Sequence, residues 1–391
     1  MKVRSLSARF SMRVRPPLVA LIAALGFSAV TLAACRQTTT QLQVGLTGIP
    51  PLPLITPGQR SRFVGSAACV GCHARESELH AHTSHAQTAP SLQEGRAPEA
   101  FRTGQTLVDP VLAAAYSYAE TAGKPQFRIK AAGKAEETLT PGFAFGSGRV
   151  GITFLAERGS QFLEARTSYY PDASWHWTPG QQHPDPHRDP AGRTLDFNTA
   201  TACFLCHSTA VVREGERLRP EDSILNVGCE RCHGPGAAHI EAVKNGKAPG
   251  PIYSLRGLSA GQLQQLCAGC HAAPEQLPDA QMQLRPNLPR FAGATLALSR
   301  CYREGKGGLS CLSCHNPHDR PSSKLAIYEP VCLSCHTAGR ANQKPCPVNA
   351  TRGCVGCHMP KRPVTFPVPA AFRTHWIKPY PPQTGRDEIP F

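Results

Sequence analysis

The chain has 391 residues, 42 Lys and Arg against 27 Asp and Glu, and a formal net charge of +15. A sequence pI near 9.3 resembles a nucleic-acid footprint, but two features exclude that reading. Five of the cations lie in a leader-like segment whose removal leaves about +10, and the cofactor motifs described below bring anionic groups that offset the rest.

Residues 1–34 read as an export signal. Lys2, Arg4, Arg9, Arg13 and Arg15 form a basic start without an acidic residue, and an apolar stretch runs from Leu18 to Val30. That stretch is short of the roughly 20 residues a membrane-spanning helix needs. Leu32, Ala33, Ala34 and Cys35 resemble a bacterial lipobox, which makes Cys35 the expected lipidation site and first mature residue. Arg36 is not the aspartate that retains such lipoproteins at the inner membrane, so an outer-membrane anchor is expected. Residues 35–62, rich in Thr, Pro and Gly, read as a flexible tether.

A first Cys-x-x-Cys-His motif follows in segment 63–91, and residues 92–180 then change texture. Short alternating runs at 116–118, 127–130, 151–155 and 162–165 are separated by turn-forming residues at 123–125, 141–142 and 158–160. Period-two alternation between turns predicts a small antiparallel sheet. Residues 181–199 read as a polar loop. Six further motifs crowd into 200–360, and 361–391 form a tail. So dense an array leaves little room for a conventional core. The expected fold is therefore short α-helices and loops wrapped round cofactors, with a small antiparallel β insertion.

The seven motifs pair Cys69 with Cys72, Cys203 with Cys206, Cys229 with Cys232, Cys267 with Cys270, Cys311 with Cys314, Cys332 with Cys335, and Cys354 with Cys357. The histidines that follow are His73, His207, His233, His271, His315, His336 and His358. Such motifs attach haem c: each thiol adds to a vinyl group, and the histidine binds iron from below. Structural zinc also uses Cys-x-x-Cys pairs, but it gives no reason for a histidine to follow every second cysteine. Seven haems carry propionates worth about −14, so much of the basic excess is expected to pair with them.

Nine histidines remain as possible sixth ligands. His239 and His318 each follow a proline turn beyond a motif, His85 lies shortly after the first motif, and His375 stands in the tail. These four are the strongest candidates. His183 and His187 lie in the polar loop and His176 lies between two tryptophans, while His80 and His82 share the neighbourhood of His85. Met282 and Met359 are softer alternatives. Two cysteines fall outside every motif and the lipobox, Cys301 and Cys346, and in an oxidising envelope they suggest one disulfide.

The run from Gly228 to His239, Leu309 to His318 and Cys354 to Lys361 resemble multihaem cytochromes of the cytochrome c-554 type. The segment from Phe145 through Tyr169 to Gly180 resembles the haem-free insert of related envelope cytochromes. The resemblance implies a mostly helical haem scaffold shuttling electrons between redox partners, with His85, His239, His318 and His375 as distal ligands. It covers most of 63–378 but departs in haem number and in the β insert, so the pairing of ligand with haem does not carry over.

Two functions follow. The first is electron transfer between redox partner proteins of the envelope, with membrane attachment through the lipid and no nucleic-acid partner. The second is an oxidoreductase acting on a small nitrogen or sulfur compound at a five-coordinate haem. No Cys-x-x-Cys-Lys motif marks a catalytic haem of the pentahaem nitrite reductase kind, and the spare histidines suffice to close every iron. The first motif stands alone in sequence and is expected to form an end apart from the six-haem body.

Overall fold

The computed structural model describes residues 53–171, 174–181, 185, 187–247, 249–272, 289–305, 308–336, 346–363 and 370–380. The expected export signal, Cys35, His183 and Met282 lie outside the described residues. The last part of the expected tether is ordered instead. Strand β1 (Leu54–Ile55) leads into a 3-10 turn over Pro57–Arg62, where the Thr56 amide donates to Gln59 Oε1 at 3.0 Å.

The chain then builds a β-sandwich. Strands β2 (Thr106–Asp109), β3 (Ala114–Thr121), β4 (Lys124–Ala131) and β5 (Glu137–Leu139) form one antiparallel sheet in sequence order. Strands β6 (Phe143–Phe145), β7 (Thr153–Arg158) and β8 (Gln161–Ala165) belong to a second, which the later strand β11 (Gly192–Leu195) completes beside β8. A hairpin of β9 (Thr167–Tyr170) and β10 (Ser174–Trp177) lies between them in sequence. The turn expected at residues 123–125 falls slightly earlier. Ala122 and Gly123 have positive φ, while Pro125 already pairs with Glu120 at the start of β4, where a missing N–H is tolerated.

Alternation drives the packing. In β3 and β4, Tyr116, Tyr118, Phe127 and Ile129 turn inward and meet Phe154, Ala156 and Leu163 of the second sheet. Trp175 fills the middle. It stacks on Tyr118 at 3.7 Å with the rings 2° from parallel, and Phe101 meets it edge-on at 5.1 Å. Its indole N–H donates to the Ala100 carbonyl at 3.0 Å, so the one polar atom of a fully buried ring is satisfied.

The second sheet is buried on both faces, which explains why Phe154, Leu155 and Ala156 form an unbroken apolar run. Phe154 and Ala156 serve the sandwich. Leu155 on the other face joins Phe145, Leu195, Phe204 and Val211 in a second core. Phe204 lies between the cysteines of the second motif and is held by Phe143 and Phe145, each at 5.1 Å, and by Phe162 at 5.3 Å. The sandwich is thereby the bed for the second motif.

Strand content exceeds the expected small insertion. Strand β11 lies inside the stretch read as a polar loop. A further hairpin, β12 (Ser208–Glu214) and β13 (Arg217–Leu225), lies inside the expected haem array, and β1 joins it in parallel beside β12. Strands β14 (Lys361–Pro363) and β15 (Ala371–Arg373) close the tail. Around the motifs the helices are short, as expected. Among the described residues no helix is long and apolar enough to cross a membrane.

Replacing Phe204 with Ala removes a fully buried ring and should lower stability by about 3–5 kcal/mol. The measurement is denaturant unfolding of the holoprotein followed by circular dichroism, with haem content checked to be unchanged.

Candidate functional site: seven attachment motifs and their facing histidines

Each motif is one helical turn, and the spacing explains why. Residues three and four apart on a helix share a face, so both thiols and the histidine project to one side. His73, His315 and His336 close that turn by donating their amides to the carbonyls of Cys69, Cys311 and Cys332 at 2.9, 3.0 and 2.9 Å. The second and fourth motifs end longer helices, Phe197–His207 and Ala260–His271. Asp196 caps the first of these by accepting from the Thr199 amide at 2.7 Å, and Ser259 caps the second in a reciprocal box with Gln262. The third and seventh motifs are single turns, Cys229–His233 and Cys354–His358.

Three motif histidines face a second imidazole from a remote part of the chain. His271 meets His85 with ring centres 5.9 Å apart, His233 meets His318 at 6.0 Å, and His315 meets His375 at 6.1 Å. An iron bound to two imidazoles at about 2 Å from each nitrogen sets the ring centres roughly 6 Å apart. The three separations match what an iron held between two imidazoles would require.

Second contacts set the tautomers. A carbonyl can only accept, so a ring nitrogen bonded to one carries the proton and leaves Nε2 as the ligating atom. His207 Nδ1 donates to the Thr88 carbonyl at 2.8 Å, His233 Nδ1 to the Tyr253 carbonyl at 3.1 Å, and His375 Nδ1 to the Arg373 carbonyl at 3.1 Å. His239 Nδ1 donates likewise to the Pro249 carbonyl.

Desolvation keeps the facing rings neutral. Burial, then His315, lowers His375 to about 4. His85 is an exposed residue overall, but protein atoms crowd its ring, and that desolvation, followed by His271 and His80, also lowers it to about 4. Burial and then His233 lower His318. A neutral imidazole is the form that binds iron.

The other candidates are placed differently. His176 pairs with Ser168 across the β9–β10 hairpin, and its Nδ1 accepts the Trp177 amide at 2.9 Å, which puts its proton on Nε2. That is the wrong tautomer for an Nε2 ligand. His187 is exposed on the loop, where its amide donates to Asp185. Among the described residues neither faces a motif histidine, because both belong to the sandwich and its edge. His80 lies beside His318 without replacing it, and the His82 carbonyl accepts from Arg320. Met359 acts through its backbone, accepting from Arg373 Nη1 at 2.6 Å. The structure does not join Cys301 to Cys346: Cys301 lies among Cys314, Cys332 and Cys335, while Cys346 lies near Cys354.

The motifs also touch one another in an order unlike the sequence. Cys69 lies within hydrogen-bonding reach of Cys229, Cys206 of Cys270, and Cys267 of Cys311. Cys232 lies near Cys270, and Cys332 near both Cys314 and Cys354. The first motif is therefore not set apart, contrary to the expectation from its sequence isolation. It packs on the third motif.

Glu230, between the cysteines of the third motif, makes that junction. Its buried carboxylate accepts the amides of Val64 at 2.9 Å, Gly65 at 2.8 Å and Gly236 at 2.7 Å. Asn226 makes a second junction by accepting the Ala89 amide at 2.7 Å, and its positive φ turns the chain into the third motif. Sequence reasoning missed Glu230, Asn226 and Thr88. Glu230 alone carried a signal, as a lone acid inside a motif that a Gly-Pro-Gly turn follows.

One family model and several known proteins are similar to parts of this chain. The family described as cytochrome c554 and c-prime matches residues 173–234. A C-type polyheme cytochrome, OmcC of Geobacter sulfurreducens, is 29% identical over 37% of this chain and 21% of its own length. The dissimilatory sulfite reductase MccA of Wolinella succinogenes is 24% identical over 43% of this chain and 28% of its own. The chain thus aligns with under a third of either relative. An outer cell wall cytochrome, OcwA, superposes with a TM-score of 0.41 at 15% identity, covering 81% of this chain and 80% of that one. The family match and the first of these relatives support a multihaem c-type cytochrome.

Substituting His85, His318 or His375 singly with Ala should each convert one haem to a high-spin, carbon monoxide-binding form, read by EPR and visible spectra. His176→Ala should leave both spectra unchanged. Glu230→Ala should weaken the first junction by about 3 kcal/mol. Hydrogen exchange should then report faster exchange of the Val64 and Gly65 amides.

Proposed function

We propose that this cytochrome carries seven haems and transfers electrons between redox partners of the bacterial cell envelope, exported and held through lipid at Cys35, with the outer membrane as its anchor. The facing imidazoles at 5.9 to 6.1 Å carry the reading, because iron closed on both sides by imidazole is suited to passing electrons. Haem c, once attached, supplies the one-electron iron couple, and the chain supplies spacing, ligands and insulation.

The neighbour order of the motifs supports the same reading. Motifs one, three, four, five, six and seven form a continuous line, and motif two joins it at motif four. The relatives named as cytochromes support it as well. Four strong distal candidates, His85, His239, His318 and His375, were expected from sequence, and three of them face a motif histidine. The name of MccA offers the second reading, oxidoreduction of a small sulfur or nitrogen compound, which needs an iron with an open face.

Mass spectrometry of the purified protein should give seven haem additions. Its spectrum should be wholly low-spin and unmoved by carbon monoxide. A high-spin fraction near one haem in seven would favour the enzyme instead.

A further inference from the structure

Motif seven is an end of the line of motifs, and the surface beside it is predominantly cationic. Among the described residues from Arg352 to Pro363 and from Ala370 to Tyr380, the charged side chains are Arg352, Lys361, Arg362, Arg373 and Lys378, with no acid. The neighbouring Glu329 carboxylate is turned onto the Gly353 amide at 2.6 Å.

This edge is built from the tail. Lys361 and Arg362 are exposed on β14, paired with Arg373 and Phe372 of β15. The tail then supplies His375 to the fifth motif, and the Lys378 amide donates to the carbonyl of His358 in the seventh at 3.4 Å. Cations and aromatic rings interleave there. Lys378 Nζ lies 3.5 Å from the Trp376 ring centre and 5.1 Å from that of Tyr380, while the Arg362 guanidinium lies 5.4 Å from Tyr380. Rings fix the positions of these charges in advance, so less conformational freedom is lost when a partner arrives. Trp, Tyr and Arg are also the residues that most often carry interface energy.

We infer that this cationic, aromatic edge is the docking surface for a protein electron carrier with an acidic face. The inference rests on the electron-transfer reading and adds the kind of partner and the place it meets the chain. A hairpin with pre-positioned charges suits a shaped protein surface, whereas an anionic membrane asks only for diffuse charge.

The test uses the full-length holoprotein and flavodoxin, an acidic one-electron flavoprotein, as the probe. Binding is measured by calorimetry, and electron exchange by stopped flow, at about 20 mM and about 200 mM salt. Lys361→Glu with Arg362→Glu should abolish binding at low salt and slow exchange about tenfold, with the difference vanishing at high salt. Lys361→Gln with Arg362→Gln should give a smaller loss in the same direction, and haem mass and dithionite reduction should match the parent.

Unchanged flavodoxin binding and salt slope in both variants would overturn the inference. So would loss of binding to phosphatidylglycerol vesicles with flavodoxin exchange retained, which would make the edge a membrane contact. A shifted haem potential with unaltered flavodoxin binding would assign the cations to propionates and overturn it too. If parent haems, once reduced, fail to exchange electrons with one another, the electron-transfer reading itself falls.

Discussion

One helical turn can present two thiols and one imidazole to the same side, and it has nothing left for the opposite side. That limit organises the protein around its motifs. Every iron to be closed by a second imidazole needs a residue from another part of the chain, held opposite at a fixed separation. His85, His318 and His375 stand opposite motif histidines, where they could meet this need, from a turn after the first motif, a proline turn after the fifth and the C-terminal tail. The fold can be understood as the means of bringing three remote backbone segments to those places and locking their tautomers. Peptide carbonyls do much of the locking, and they come from loops without any motif of their own.

The sandwich has a related task. A region of closely spaced haem motifs cannot bury much side-chain surface, so it gains little rigidity from a core of its own. Phe101, Tyr118, Phe127, Phe154 and Trp175 form a compact aromatic cluster away from the motifs. The outer face of the same sheet passes that rigidity on through Leu155 and Phe145 to Phe204. Asp109 and Arg166 add a buried ion pair, with the guanidinium also set over Trp177 at 5.3 Å. Such a pair fixes geometry more than it adds stability.

Local signals made the attachment motifs and the main strands legible in the sequence, and they singled out three histidines that stand opposite motif histidines. Helical spacing, period-two alternation and histidines after turns are properties of a few adjacent residues. The pairing of His85 with His271 is not, since it depends on how segments far apart in the chain fold back. Strand β11 escaped because Gly192 to Leu195 offers only one large apolar side chain within a stretch rich in Pro, His and Asp. The β12–β13 hairpin was hidden by its position between two motifs, where the spacing suggested only loops. Thr88 was hidden because it reaches His207 from 119 residues away, through its main-chain oxygen and its hydroxyl together.

The segment around residues 85–88 serves two motifs at once, His85 facing His271 and Thr88 holding His207. Both partners are made much later in synthesis. A chain that emerges from its N-terminus carries this segment for well over a hundred residues before either is available. Contacts of such long sequence separation form slowly, after the loop between them has been closed. Pairing of His85 with the fourth motif is therefore a late event in folding. A chain that ends before Cys267 keeps His85 without the imidazole it faces, so that contact exists only once the fourth motif has been made.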